Sequence, residues 1–371
     1  MGFTSAPVMT LIAGCATPIF ARAIARRLSA AHSNMSDKAG NVPLFYSVRE
    51  GGVRCGHGGQ WECALRRCDT IKDAVAEVMR IVEKEKRLHP DDDAEFFFRG
   101  VKRNWEDSGC TTAIGTSFQS CLDRKRIYVE HERDLYQEAL RYNVASFTDD
   151  RTMTDRIVRM QHYQLPTRFA DVSTNFLQGL LFAVGGCDPT AEASKKHDGF
   201  VRVIKVARHK MKSFTSDIIV AISHLPLVDC PKVNPDEPGG LDTLRYEIMK
   251  ERPAFGLESE RPKEAARLRE EIKQVWAFKP KLNNDRIRNQ GGLFLAFGCL
   301  KNKESLHPTF SPKDFDVKTA PSYGIKQIGA VQIAAEAKSR ILGELRMFGM
   351  QEEVVYPDIS NVCQTISKLY K

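Results

Sequence analysis

The sequence predicts an α+β fold, a mixed β-sheet flanked by helices. Three observations carry that reading. Glu95-Phe96-Phe97-Phe98, Val275-Trp276-Ala277-Phe278 and Leu293-Phe294-Leu295-Ala296-Phe297 are short apolar runs rich in aromatics, with the length and composition of buried strands. Gly199 to Val206 alternates apolar and polar residues, as a half-buried strand does. Between these runs lie helical stripes, the clearest at Thr70 to Arg87, where Ile71, Ala74, Val75, Val78, Ile81 and Val82 recur at helical spacing.

Taken in order, residues 1–50 read as a loosely structured extension around one helical segment. Val8 to Phe20 is apolar and is followed by Arg22, Arg26 and Arg27. It is too short to span a bilayer, and its charges follow the apolar run, opposite to a secretory signal. An arginine-rich targeting helix, a peripheral amphipathic segment, or an extension upstream of a start at Met35 rather than Met1 all remain open; the last fits best, because Met-Ser-Asp-Lys reads as a soluble N-terminus. Residues 51–371 are expected to form a single α+β domain with a variable insertion around 208–274.

Within that domain, Thr70 is placed to cap the first helix, with Asp73 completing a capping box. The strand Glu95 to Phe98 is expected to carry Arg99 out of its end. Asp123 to Asn143 reads as a charged helix and Met153 to Gln161 as another. Ile218 to Ile222 is a candidate strand, Pro226 to Gly240 a loop, and Glu258 to Gln274 a charged helix. Arg286 to Gln290 reads as a helical turn broken by Gly291-Gly292. The tail is expected as strand Val331 to Ile333, helix Ala334 to Phe348 stopped at Gly349, strand Val354 to Tyr356 and a final helix from Ile359 to Leu369.

Composition fits a soluble globular protein, with 42% hydrophobic and 27% charged residues. A formal charge of +8 permits polyanion binding without arguing for it. Ten cysteines lie along the chain without regular pairing, which reads as reduced thiols in a cytoplasmic protein. Cys55, His57, Cys63 and Cys68 are zinc-ligand types, but their spacings are not those of a knuckle or ribbon, so no metal is expected. No nucleotide glycine loop, metalloprotease helix, nucleophile elbow or kinase signature is present.

The most informative stretch runs from Met160 to Ala183. Between Gln161 and Asp171 it holds an amide, an imidazole, a phenol, a hydroxyl, a guanidinium and a carboxylate: Gln161, His162, Tyr163, Thr167, Arg168 and Asp171. Pro166 keeps this half from being one continuous helix. Phe176, Leu177, Leu180, Leu181 and Ala183 then mark a buried helix, with Asp171 or Ser173 as its expected N-cap. Polar groups fastened to a core helix in this way point to a site. Bracing of the Pro166 turn by His162 and Tyr163 is the competing reading, and Arg156 with His162 matches a helical ribonuclease pattern only weakly. Arg99, at the edge of an apolar strand and followed by Gly100, is suited to hold an anion. Arg286 and Gln290 fall on one helical face and can address one ligand.

The stretch resembles the Gln-His-Tyr-Gly-Leu-Pro-Thr-Arg-Leu-Leu-Asp-Trp-Thr signature of FRG-domain proteins. Phe98-Arg99-Gly100, about sixty residues upstream, matches the tripeptide for which that family is named. Arg286-Ile-Arg-Asn-Gln-Gly-Gly-Leu-Phe294 and Tyr356-Pro357-Asp358 are further family-like stretches. Gln164, Phe169-Ala170 and Val172-Ser173 depart from the signature.

FRG proteins are suspected relatives of ADP-ribosyltransferases, and by that analogy the resemblance implies a partly split sheet. It also implies NAD as co-substrate. Arg99 and Arg168 are candidates for the pyrophosphate, Tyr163 or His162 for the nicotinamide ring, and Asp171 or Gln290 for the developing ribose cation. Gly100, Gln161, Thr167 and Arg286 complete the candidate cofactor-binding set. The acceptor would be a protein or nucleic acid, in defence or toxin biology. No late glutamate stands in the Gln290-Gly-Gly turn, so a non-catalytic nucleotide- or partner-binding domain is the alternative.

Overall fold

The computed structural model describes residues 66–102, 131–163, 165, 167–185, 197–228, 233–257, 260–283, 285–299, 323–357 and 362–363. The N-terminal 50 residues, Cys55, His57, Cys63, Pro166 and the expected helix from Ile359 lie wholly or largely outside these. In order the elements are β1 (Arg67–Cys68), α1 (Ile71–Leu88), β2 (Ala94–Val101), α2 (Glu132–Tyr142), α3 (Met153–His162), β3 (Phe169–Ser173) and α4 (Phe176–Val184). Then come β4 (Gly199–Ala207), β5 (Met211–Ser213), α5 (Asp217–His224), α6 (Asp242–Glu251), α7 (Pro262–Glu271) and β6 (Val275–Lys279). The chain continues through α8 (Asp285–Gln290), β7 (Gly292–Phe297), β8 (Ile325–Ile333), α9 (Lys338–Met347) and α10 (Glu352–Val355).

The strands form one mixed eight-stranded sheet, ordered β1-β8-β4-β2-β3-β7-β6-β5. Only the outermost pairs, β1–β8 and β5–β6, are parallel. The sheet cannot be flat. β4 and β5 stand third and eighth in it, yet only Arg208–Lys210 join them. A flat sheet would place those strands about 24 Å apart, whereas four peptide steps reach about 14 Å. The two halves therefore curl toward each other.

Burial agrees with that closure. Phe97, Ala170, Val172, Ile204, Val206, Ala277, Leu293, Leu295 and Ile325 form a buried cluster drawn, among the described residues, from strands alone. This is the inside of the curl. Helices cover the outside in two groups. α1, α4 and α9 pack on the β8-β4-β2 half, and α3, α5, α6 and α7 pack on the β3-β7-β6 half. Residues 208–274 supply Ile218, Ile219, Ile222, Leu244, Ile248 and Leu268 to the second group.

Local chemistry explains several element ends. Thr70 accepts from the Asp73 amide at 3.1 Å and its hydroxyl donates to the Asp73 carboxylate at 2.7 Å. Thr152 and Asp155 form a reciprocal capping box at the start of α3. Gly349, φ +74°, follows α9 as expected.

Several expectations are corrected. Ile218 to Ile222 is helical, within α5, because all of its faces are buried and periodicity then cannot separate strand from helix. Val354 and Val355 end the short α10 instead of forming a strand. Gly199 to Val206 is a strand, but buried on both faces, because helices cover one side and the curl covers the other. Arg99 does not leave the end of its strand; β2 runs on to Val101, and Arg99 pairs in register with Arg202. The polar segment before α4 contains an unforeseen strand, β3, paired with β7 from Phe169 to Ser173. Asp171 is inside it and caps nothing; Asn175 accepts from the Leu177 amide at 2.9 Å instead, while Ser173 accepts from the Asn175 amide at 3.0 Å. Cys68 is fully buried in β1, and no cluster of three metal-ligating side chains occurs among the described residues. No helix among them is long and apolar enough to cross a membrane.

Candidate functional site at the split of the sheet

The two halves of the sheet meet at β2 and β3, which are long enough to pair along several residues. They share one register position, Phe98 opposite Ser173. In a continuous antiparallel ladder Gly100 would face Asp171. Instead the strands splay, and the Arg99 guanidinium donates to the Asp171 carbonyl across the opening. The side chain thus replaces a ladder bond that the backbone has given up.

Each residue of the Phe98-Arg99-Gly100 tripeptide has a separate task. Phe98 packs edge-on against Phe176 of α4, with centroids 5.5 Å apart. Arg99, 7% exposed, bridges the split. Gly100 lets α4 lie on the strand: a Cβ there would fall inside contact with the Gly179 carbonyl and meet Phe182 Cβ at 2.7 Å and Ala183 N at 2.8 Å. The space beside Gly100 is filled by helix.

From Asp171 a hydrogen-bond chain runs back to α3. Gln161 Nε2 donates to the Asp171 carboxylate at 3.0 Å, Thr167 donates to Gln161 Oε1 at 2.7 Å, and the Phe169 amide donates to Thr167 Oγ1 at 3.1 Å. The structure therefore joins Arg99, Gln161, Thr167 and Asp171. Asp171 shares the helix-covered face of the sheet with Phe98, whereas Arg99 lies on the inner face with Phe97, so the two border the split from opposite sides.

The other candidates lie around this chain. His162, 3% exposed, packs edge-on against Phe294 with centroids 5.5 Å apart. Tyr163, 56% exposed, ends α3. Arg168 donates to Glu132 of α2 at 2.6 Å and to the Gly298 carbonyl at 3.2 Å, tying α2 to the sheet. Arg286 and Gln290 belong to α8, which leads into Gly291. Gly291 has φ +54° and lies within 3.3 Å (from its would-be Cβ) of Thr174 Oγ1, so the Arg-Asn-Gln-Gly-Gly turn abuts the end of β3 where the halves join.

The family model of the FRG domain matches residues 94–192, from the start of β2 to just beyond α4. The chain carries an FRG domain. No curated protein matches it, and no solved structure does. The matched stretch of the FRG domain holds both strands that border the split, β2 and β3, with α2, α3 and α4.

Arg202 was not singled out from the sequence. It stands opposite Arg99 on β4, is 6% exposed, and donates to Gln327 Oε1 at 3.4 Å. A signal was there. Arg202 and Lys205 are three apart, hence on opposite faces of a strand, so simple alternation could not place both charges in solvent. Arg99 of the matched stretch and Arg202 beyond it thus stand side by side, both buried, on the inner sheet face.

Proposed function

We propose that this FRG domain binds an anionic nucleotide at the split of its sheet, that the nucleotide is NAD, and that it is consumed by ADP-ribose transfer to a macromolecule. The observation that carries the reading is the cross-strand pair Arg99–Arg202 on β2 and β4, of which Arg99 borders the split. Two guanidinium groups at neighbouring positions on one face match the oxygens of a pyrophosphate, and their enclosure strengthens each charge-assisted bond. The splayed sheet agrees with the ADP-ribosyltransferase analogy, which remains an analogy of architecture. In this reading Gln290 or Asp171 faces the ribose as the glycosidic bond breaks, and the developing cation is stabilised electrostatically.

One observation favours a second reading, a nucleotide- or partner-binding domain without turnover. The Asp171 carboxylate is held by Gln161, and Thr167 holds Gln161 in turn, so this polar set is spent on bracing β3 against α3.

Nicotinamide release from NAD, measured beside Arg202→Gln with its melting temperature checked, separates the two. The enzyme reading expects release by the wild type and at least about tenfold less by the variant, the loss of one charge-assisted bond. NAD-dependent thermal stabilisation of the wild type without release supports the binding domain. Neither release nor stabilisation refutes both.

A further inference from the structure

Gln178, in the third position of α4, is fully enclosed, and neither its Nε2 nor its Oε1 has a hydrogen-bond partner. An enclosed amide with both ends unmet is rare, because each group loses its water without replacement. A glutamine at this helical position ordinarily reaches back to the N-cap amide. Here the Asn175 amide already donates to Ser173 Oγ. The usual structural use of Gln178 is therefore taken.

Its place in the fold is informative. Gly179 faces the sheet, since a Cβ there would meet Val201 Cγ1 at 3.0 Å and Phe98 Cβ at 3.2 Å. Leu180 leaves one flank of α4 and joins the cluster over β4 and β8. Gln178, about 200° away around the helix, leaves the other flank, toward β3. Phe182, one turn later on that flank, packs against Tyr356 with centroids 5.9 Å apart. Helical side chains lean toward the N-terminus, so the Gln178 amide leans toward the join of β3 and α4. That is where Ser173, Thr174 and Gly291 meet.

We infer that Gln178 is the carboxamide-recognising contact of the nucleotide site at the split, pairing its donor and acceptor with those of the nicotinamide amide. The inference rests on the NAD reading above and names what distinguishes NAD from other nucleotides there. A carboxamide offers one acceptor and two donors, the complement of what Gln178 leaves unmet. The arginine pair grips the phosphates from the inner face, and Gln178 reads the base from the helix side. The amide is closed in, so entry requires the packing around α4 to loosen, and binding is accompanied by a local rearrangement.

The test is thermal stabilisation of the full chain by NAD and by ADP-ribose, which keeps the pyrophosphate and lacks nicotinamide. Wild type is compared with Gln178→Met, which keeps length and removes both polar ends. The expected result has three parts: the variant melts higher than wild type without ligand, keeps its response to ADP-ribose, and loses about tenfold in NAD affinity relative to ADP-ribose. A variant that still prefers NAD over ADP-ribose as wild type does would overturn the Gln178 assignment while leaving the NAD reading standing. No response of the wild type to either ligand would overturn both. A variant that melts lower and responds unchanged would show the amide to be structural.

Discussion

Gly100→Ala is expected to abolish folding, or to lower the melting temperature by more than ten degrees, although it adds a single methyl group. The added Cβ would press into the Gly179 carbonyl and lie 2.7 Å from Phe182 Cβ and 2.8 Å from Ala183 N. Two of these three neighbours are backbone, so no rotamer change relieves the clash. Either α4 lifts from β2 or the strand bends, and both loosen the packing of Phe98 on Phe176 and the reach of Arg99 to β3. Overpacking a core costs about 1–3 kcal/mol where side chains can adjust. With backbone on both sides we expect about 4 kcal/mol or more, in the exceptional range for one substitution. Gly343→Ala is the control. It is in α9, nothing lies within 4 Å of its Cβ position, and helix propensity alone should stabilise it by up to about 1 kcal/mol. Circular dichroism melts of the two variants decide the matter. If Gly100→Ala melts within a few degrees of wild type, the close crossing of α4 over β2 is wrong.

The same crossing shows what could be read from the sequence. β2, β6 and β7 were legible because each is a compact apolar run between breakers. The Thr70 helix was legible because capping and stripe agree. β3 was not, since Phe-Ala-Asp-Val-Ser carries no strand pattern of its own and becomes a strand by pairing with β7. That is a tertiary effect, outside the reach of local propensity. The same holds for the site. The residue types of Arg99, Gln161, Thr167 and Asp171 signalled polar function, and they do meet. That they meet at a split, with Arg202 beside Arg99, depends on which strands become neighbours across more than a hundred residues. Gln178 was invisible for another reason: a glutamine in an apolar helix draws notice only once both of its ends are found unmet.

Glu85 carries the other large effect, and it tests the closure of the sheet on its opposite flank. From α1 its carboxylate receives Lys205 Nζ of β4 at 2.9 Å and Lys326 Nζ of β8 at 2.7 Å, while Asp92 also receives Lys205. The two lysine side chains are 2% and 8% exposed, so removing Glu85 leaves enclosed positive charge with too little compensation. Glu85→Ala should cost about 3–5 kcal/mol, the range for breaking a buried pair from one side. Replacing Glu85, Lys205 and Lys326 together by leucine and methionines should recover most of that loss, because no enclosed charge is then left uncompensated and Asp92, which loses Lys205, is in reach of solvent. The pH dependence follows. Burial pushes the Glu85 carboxyl up, but hydrogen bonds from Lys326 and Lys205 outweigh it and hold the group below the ordinary carboxylate range. The Lys205 hydrogen bond likewise holds Asp92 low. Groups whose pKa is depressed by folding stabilise the native state above their unfolded values, about pH 4, and that contribution is lost as pH falls through the folded values. Wild type should therefore lose stability steeply below about pH 4, and the triple variant should follow a shallower acid limb. Urea midpoints measured between pH 3 and 7 give both slopes. Parallel limbs would mean that the Glu85 cluster is not what ties α1 to β4 and β8.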